Sequence, residues 1–213
     1  MVIDRPLFRV SIKSLVLISA GLSGLFAQGN LSVSVVLVSL SVVLAGADYL
    51  LSERITTLVL ERITGILEAG YHCCNFSQDS DVRTTIFTAS RHRGEVLRQL
   101  GRYYPTNKYS SFRRGLSTSK GIIGLCFRNQ ERCLEVIKQE SSFKAHLVTK
   151  WGFTKEEADQ VKTRRSYLAI PIIDALGKTL GVAYFDSMKE DTFSPEAIDI
   201  LTRGCVPLSK WVR

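Results

Sequence analysis

Between Ser14 and Ala47 the chain has no acidic residue, no basic residue and no histidine. A helix on a solvated domain shows a polar stripe along one side, so this absence argues against an ordinary surface helix. One membrane span needs roughly 20 apolar residues, with about 17 as the lower limit. The run is too long for one span and long enough for two short ones. Its break is Gln28-Gly29-Asn30, where Gly and Asn tolerate the left-handed backbone of a tight turn. The expectation is a transmembrane helical hairpin over residues 1–50, with spans at about 10–27 and 31–50. A signal peptide is the rival for the first span, but Ala27-Gln28-Gly29 is a poor cleavage site and the second run would stay behind as an anchor. A lone strand cannot satisfy its backbone in lipid, whereas the serines of 31–44 can bond back to a helix or across to its neighbour.

The turn also lacks Lys and Arg. Arg5, Arg9 and Lys13 precede the first span, and Arg54 and Arg62 follow the second. The excess of positive charge at both ends places both termini in the cytoplasm, which makes the chain a multi-pass protein of the inner (cytoplasmic) membrane. Three turn residues cannot build a site, so a receptor for an external ligand is excluded.

Other absences narrow the chemistry. Histidine is scarce, with three residues (His72, His92 and His146) in the whole chain, and no two have metal-ligand spacing. His72-Cys73-Cys74 lacks a fourth ligand. Cysteine is odd in number, with Cys73, Cys74, Cys126, Cys133 and Cys205. In a cytoplasmic setting that reads as free thiols rather than a disulfide framework. There is no nucleophile elbow, no phosphate-binding Gly-rich loop with Lys-Ser/Thr, and no kinase or cyclase signature. The expectation is therefore that the chain is not an enzyme and that it has no catalytic residue and no metal ligand; no cofactor is implied. The net charge is +8, with basic residues gathered at 91–93, 98, 102, 113–114, 120, 162 and 164–165. Without helix-turn-helix or zinc-finger spacing, nucleic acid is not an expected partner. A solvated surface that favours anionic lipid headgroups or a small anionic ligand accounts for the charge better, so membrane lipid and such a ligand are the expected partners.

What is present after residue 50 reads as one helix and one domain. Leu51, Ile55, Leu58/Val59, Ile63 and Ile66/Leu67 recur at helical spacing, opposed by Ser52, Glu53, Arg54, Glu61, Arg62 and Glu68, which predicts an amphipathic linker helix over 51–69. It either packs on its own domain or pairs with a second copy, and a homodimer is the expected assembly. Gly70 suits its end. Residues 82–90 and 95–103 read as strands joined by a turn at 91–94, followed by a loop over 106–118. Thr118 or Ser119 is placed to cap a helix over 121–128. Cys133 to Ile137 is a short strand, and 143–150 and 154–162 look helical, the second opened by a capping box of Thr154 and Glu157. Residues 166–173 and 179–185 form the clearest hairpin in the chain. Ser194 and Pro195 open a last helix.

Lys120-Gly-Ile-Ile-Gly-Leu-Cys-Phe-Arg-Asn-Gln-Glu-Arg-Cys133, Arg165-Ser-Tyr-Leu-Ala-Ile-Pro-Ile-Ile173 and Leu176-Gly-Lys-Thr-Leu-Gly-Val-Ala-Tyr-Phe-Asp-Ser187, in this order of elements, resemble the GAF domain, the small-molecule-binding relative of PAS domains. The likeness covers about residues 70–210. It implies an α+β fold over 70–213, a GAF-like antiparallel sheet flanked by helices, and a sensory or regulatory role in which the domain binds a small ligand and signals by conformational change or dimerisation. The alternative is a membrane effector whose hairpin the domain controls. Gly121 and Gly124 share one helix face and would let the helix approach the sheet; Gly181 inside a strand indicates another backbone close by. Asn107-Lys108 and Phe112 resemble the start of the cyclic-nucleotide signature, but the acidic pair that completes it is not found. The resemblance places a ligand between the sheet and 106–130, with Phe112, Arg114, Ser117, Ser119 and Lys120 approaching it and Ile122, Cys126 and Tyr167 as walls. Arg114, Lys120 and the helix start near Ser119 favour an anion.

Overall fold

The computed structural model describes residues 31–76, 81–89, 95–105, 115–138 and 142–212. The expected first span, the turn at 28–30 and the turn at 91–94 lie outside the described residues. The chain divides into two compact units, Met1–Val59 and Leu60–Arg213.

One helix, α1 (Leu31–Cys73), runs through both the expected second span and the expected linker. Neither proline nor a turn sequence separates the two stretches, so the helix continues past the apolar run into Asp48, Glu53, Arg54, Glu61 and Arg62. Among the described residues no helix is long and apolar enough to cross a membrane. That finding corrects the expected placement at the inner membrane, and the membrane-effector reading goes with it. Within the second unit α1 is amphipathic as its spacing predicts: Ile63 and Leu67 are buried, and Glu61 and Arg62 are exposed. Gly70 lies inside the helix rather than at its end. A Cβ at Gly70 would sit 3.5 Å from Leu201 Cδ2, and one at Gly204 would sit 4.0 Å from Gly70 Cα, so two glycines bring α1 close to the last helix. The left-handed Asn75 (φ 48°) follows the helix end, a conformation Asn tolerates better than most residues.

Six strands form one antiparallel sheet in the order β3-β2-β1-β6-β5-β4. They are β1 (Arg83–Ala89), β2 (Val96–Gln99), β3 (Gly115–Ser117), β4 (Cys133–Val136), β5 (Ser166–Ile173) and β6 (Thr179–Ser187). β2 is shorter than its β-branched and apolar pattern predicts, because Gln99 Nε2 donates to Gly101 O at 2.8 Å where the chain turns. Gly115–Ser117, read from sequence as loop, is an edge strand pairing Leu116 with Leu97. Three residues are too few to show alternation. Pro171 is tolerated because β4 pairs only with Ser166–Ala169, so no partner faces it on that side. The β5–β6 hairpin is closed by Asp174 Oδ1, which accepts from Leu176 N and Lys178 N, each at 2.9 Å. Gly181 is the tight point between β1 and β6. A Cβ there would lie 2.3 Å from Phe87 O, so only glycine lets these strands pair.

Side chains alternate between two layers. On one face α2 (Gly121–Asn129), α3 (Phe143–Thr149) and α4 (Lys155–Gln160) enclose Phe87, Leu97, Ile123, Leu147, Trp151, Val182 and Tyr184. Burial of each such side chain contributes roughly 1.5–3 kcal/mol, and this layer is the larger described core. On the other face α5 (Pro195–Cys205) and a 3-10 helix (Val206–Lys210) pack on β5, with Leu201 and Leu208 buried. Ser194 accepts from Ala197 N at 3.2 Å and Pro195 occupies the first turn of α5, as that sequence requires.

Candidate functional site

The start of α2 is built from the sequence Ser117-Thr-Ser-Lys-Gly121. Thr118 and Ser119 do not cap it. Ser119 Oγ lies 2.8 Å from Ser117 Oγ, and Thr118 Oγ1 donates to Glu95 O at 3.3 Å. Lys120 takes the cap position in extended backbone with no side-chain cap bond. Gly121 adopts φ +71°, which glycine reaches without steric cost, and its N–H reaches Trp151 O at 2.8 Å. A Cβ at Gly124 would lie 2.5 Å from Thr118 O. The two glycines thus let the helix approach its own preceding turn, the 151–153 segment and the edge strand β3, where a Cβ at Gly124 would lie 3.2 Å from Ser117 O.

α4 comes to the same place. Its capping box forms as its sequence predicts: Glu157 N donates to Thr154 Oγ1 at 3.2 Å, and Thr154 N donates to Glu157 Oε2 at 2.8 Å. The same carboxylate receives Lys120 Nζ at 2.7 Å on each oxygen. The hydrogen bond from Lys120, then that from Thr154 N, holds the Glu157 carboxyl below its usual range. Gly115, Leu116, Ser117, Lys120, Phe153, Glu157 and Gln160 line a cleft of about 140 Å³. Among the described residues one ammonium and one carboxylate face it, with Phe153 as an aromatic wall.

Of the residues singled out from sequence, Ser117 and Lys120 line this cleft, and Ser119 does not, though it is hydrogen-bonded to Ser117. Ile122, Cys126 and Tyr167 sit in the apolar core instead, at 4%, 0% and 2% exposure. Tyr167 OH accepts from Arg164 N at 3.2 Å and donates to Arg164 O at 3.0 Å, and its ring meets Trp151 edge-on at 4.9 Å. Burial, then the neighbouring Cys133, pushes the Cys126 thiol far above its ordinary value. Phe112 and Arg114 lie outside the described residues. Phe153, Glu157 and Gln160 were not singled out as site residues. The capping box was the signal for Glu157, because it fixed where that carboxylate points.

Two further chemical groupings are visible. Asp186, fully buried, takes Arg83 Nε at 2.7 Å and Arg83 Nη2 at 2.9 Å. It also takes Arg164 Nε at 3.0 Å, and Arg164 reaches Asp81 Oδ2 at 2.6 Å. The Arg83 guanidinium stacks 4.3 Å from the Tyr103 ring centroid. Burial works against the Arg83 charge, but Asp186 outweighs it and leaves this arginine harder to deprotonate than usual. The second grouping is a cleft of about 370 Å³ between residues 74–76 and 189–197. There Cys74 Sγ donates to Ala197 O at 3.6 Å, and burial, then Cys73, pushes the thiol up to about 11. Among the described residues no group of three or more His, Cys, Asp or Glu is placed to hold a metal ion.

No family model matches the sequence, and no curated protein matches it. Solved structures do match the fold. The type II free methionine-R-sulfoxide reductase of Thermoplasma acidophilum aligns with a TM-score of 0.53 and 13% identity, over 74% of this chain and 94% of that one. The GAF domain of a two-component sensor histidine kinase from Bacillus halodurans aligns with a TM-score of 0.51 and 13% identity, over 70% of this chain and 92% of that one. The six-stranded antiparallel sheet flanked by helices is therefore a GAF-like fold. The same comparison overturns the expectation that the chain is not an enzyme. That expectation rested on missing catalytic motifs, and a protein of this same fold is a reductase.

Proposed function

We propose that residues 70–213 form a ligand-binding domain of the sensory kind, and that a small molecule bearing an acidic group seats in the cleft between β3, the start of α2 and α4. The observation that carries this reading is a cleft that holds Lys120, the residue before the first turn of α2, together with Ser117. Helix starts attract negative charge through their free N–H groups and their dipole. The volume selects the ligand's size. About 140 Å³ is small against the roughly 300–1,000 Å³ of clefts that take drug-sized molecules. Small carboxylates and phosphates therefore fit better than nucleotides. The fold likeness to a GAF domain from a sensor kinase supports a sensory setting. The segment 51–69 of α1 serves as the output helix, since its last turns pack through Gly70 on Leu201 of α5, and a second copy of the chain is the proposed recipient of the signal.

Differential scanning fluorimetry of the full chain with acetate, succinate, glycine, inorganic phosphate and cyclic nucleotides tests this reading. Small acids should raise the unfolding midpoint, and Lys120→Met should abolish the rise. A wild-type midpoint unmoved by every acid, free or amino-bearing, defeats it.

A further inference from the structure

The cleft carries a more specific chemistry than attraction for an anion. Resting on the reading above, we infer that it selects a small zwitterion, a molecule with a carboxylate and an ammonium a few bonds apart as in α-amino acids, over a bare anion.

Lys120 does not face the cleft as a free cation. Its ammonium lies 2.7 Å from each oxygen of Glu157. That carboxylate cannot leave freely, because Thr154 N donates to it and Glu157 N is held by the Thr154 hydroxyl. Turning Glu157 away breaks the capping box that starts α4. A bare anion drawn to Lys120 therefore arrives beside a fixed like charge, and a bare cation drawn to Glu157 arrives beside Lys120. A zwitterion avoids both conflicts. Its carboxylate meets Lys120, and its ammonium meets Glu157. Among the described residues the other polar side chains at the cleft are neutral, Gln160 and the Ser117 hydroxyl, while Leu116 and Phe153 give an apolar wall to a short side chain.

The variant that separates the two ligand classes is Glu157→Gln. Glutamine at the third helical position sustains a capping box as glutamate does, so the charge is removed and the local fold is kept. Circular dichroism of the variant checks that fold. Isothermal titration of the full chain with glycine, L-alanine, acetate, propionate and ethylamine reads the preference, at constant ionic strength and neutral pH. Wild type should bind an amino acid about tenfold or more tighter than the acid of the same carbon skeleton, the factor expected for one added charge-assisted hydrogen bond. Glu157→Gln should lose that margin and bind acetate or propionate more tightly than wild type does. Wild type binding acetate as well as glycine overturns the inference while leaving the acid-binding reading intact, and so does a Glu157→Gln variant that keeps the preference for glycine. If wild type binds neither acids nor amino acids, the reading and the inference fall together.

Discussion

Two ion-paired regions of this domain use the same side-chain chemistry for opposite ends. Asp186 lies at 0% exposure with Arg83 and Arg164 closed around it. Lys120 and Glu157 form a pair at 27% and 42% side-chain exposure on the wall of a cleft. A buried charge that loses its partner keeps the full desolvation penalty, so the first pair is locked to the fold. An exposed pair is worth little to stability, so a ligand can divide the second without unfolding anything. Burial, more than residue type, separates the structural pair from the proposed binding pair.

Asp186→Asn tests the contrast hardest. It leaves two buried guanidinium groups without their counter-charge, and breaking such a pair costs about 3–5 kcal/mol. Urea unfolding should show this loss, while the ligand preference of the folded fraction stays unchanged. Gly181→Ala comes next. Its Cβ would press on Phe87 O, and overpacking of this kind costs about 1–3 kcal/mol, again with no effect on ligand choice.

A pH effect follows. His146 has its pKa lowered by burial first, against the opposing pull of Glu135, with Lys150 lowering it further, and its Nε2 is 3.7 Å from Glu135 Oε1. The neutral ring is the form the fold favours. Its contribution is present above the unfolded value near 6.5 and is lost as pH falls through the lower folded value. Thermal midpoints should therefore drop as pH falls below about 6.5, and His146→Gln should flatten that drop. The smallest change in stability belongs to Glu157→Gln, whose midpoint should stay near that of wild type even as its margin for amino acids is lost. An equal loss of stability in Asp186→Asn and Glu157→Gln would erase the distinction between the regions.

Much of the architecture was legible from local chemistry. The β5–β6 hairpin showed in its Asp174 to Lys178 turn, the last helix in Ser194-Pro195, and α4 in its Thr154/Glu157 box, because each is set by residues a few positions apart. β3 was not legible: three residues between loops carry no periodicity, and only β2 beside them makes them a strand. The long reach of α1 was also hidden, because an apolar run and an amphipathic one suggested two elements where the backbone makes one helix. At the candidate cleft, Ser117 and Lys120 were singled out through the GAF resemblance, from their place before a Gly-x-x-Gly helix start. Ile122, Cys126 and Tyr167 showed nothing in sequence to tell a cleft wall from a core position, since both are apolar and face the sheet.

By itself the sequence determined the alternation of strands and helices, the glycines at 121, 124 and 181, and the cap residues, since backbone sterics and neighbouring hydrogen bonds act over short distances. Tertiary structure alone decided which charges meet. Lys120 and Glu157 are joined across 37 positions and Arg83 and Asp186 across 103. No local rule reports such pairings, because they depend on which elements the core brings together and on how much water the packing leaves around them.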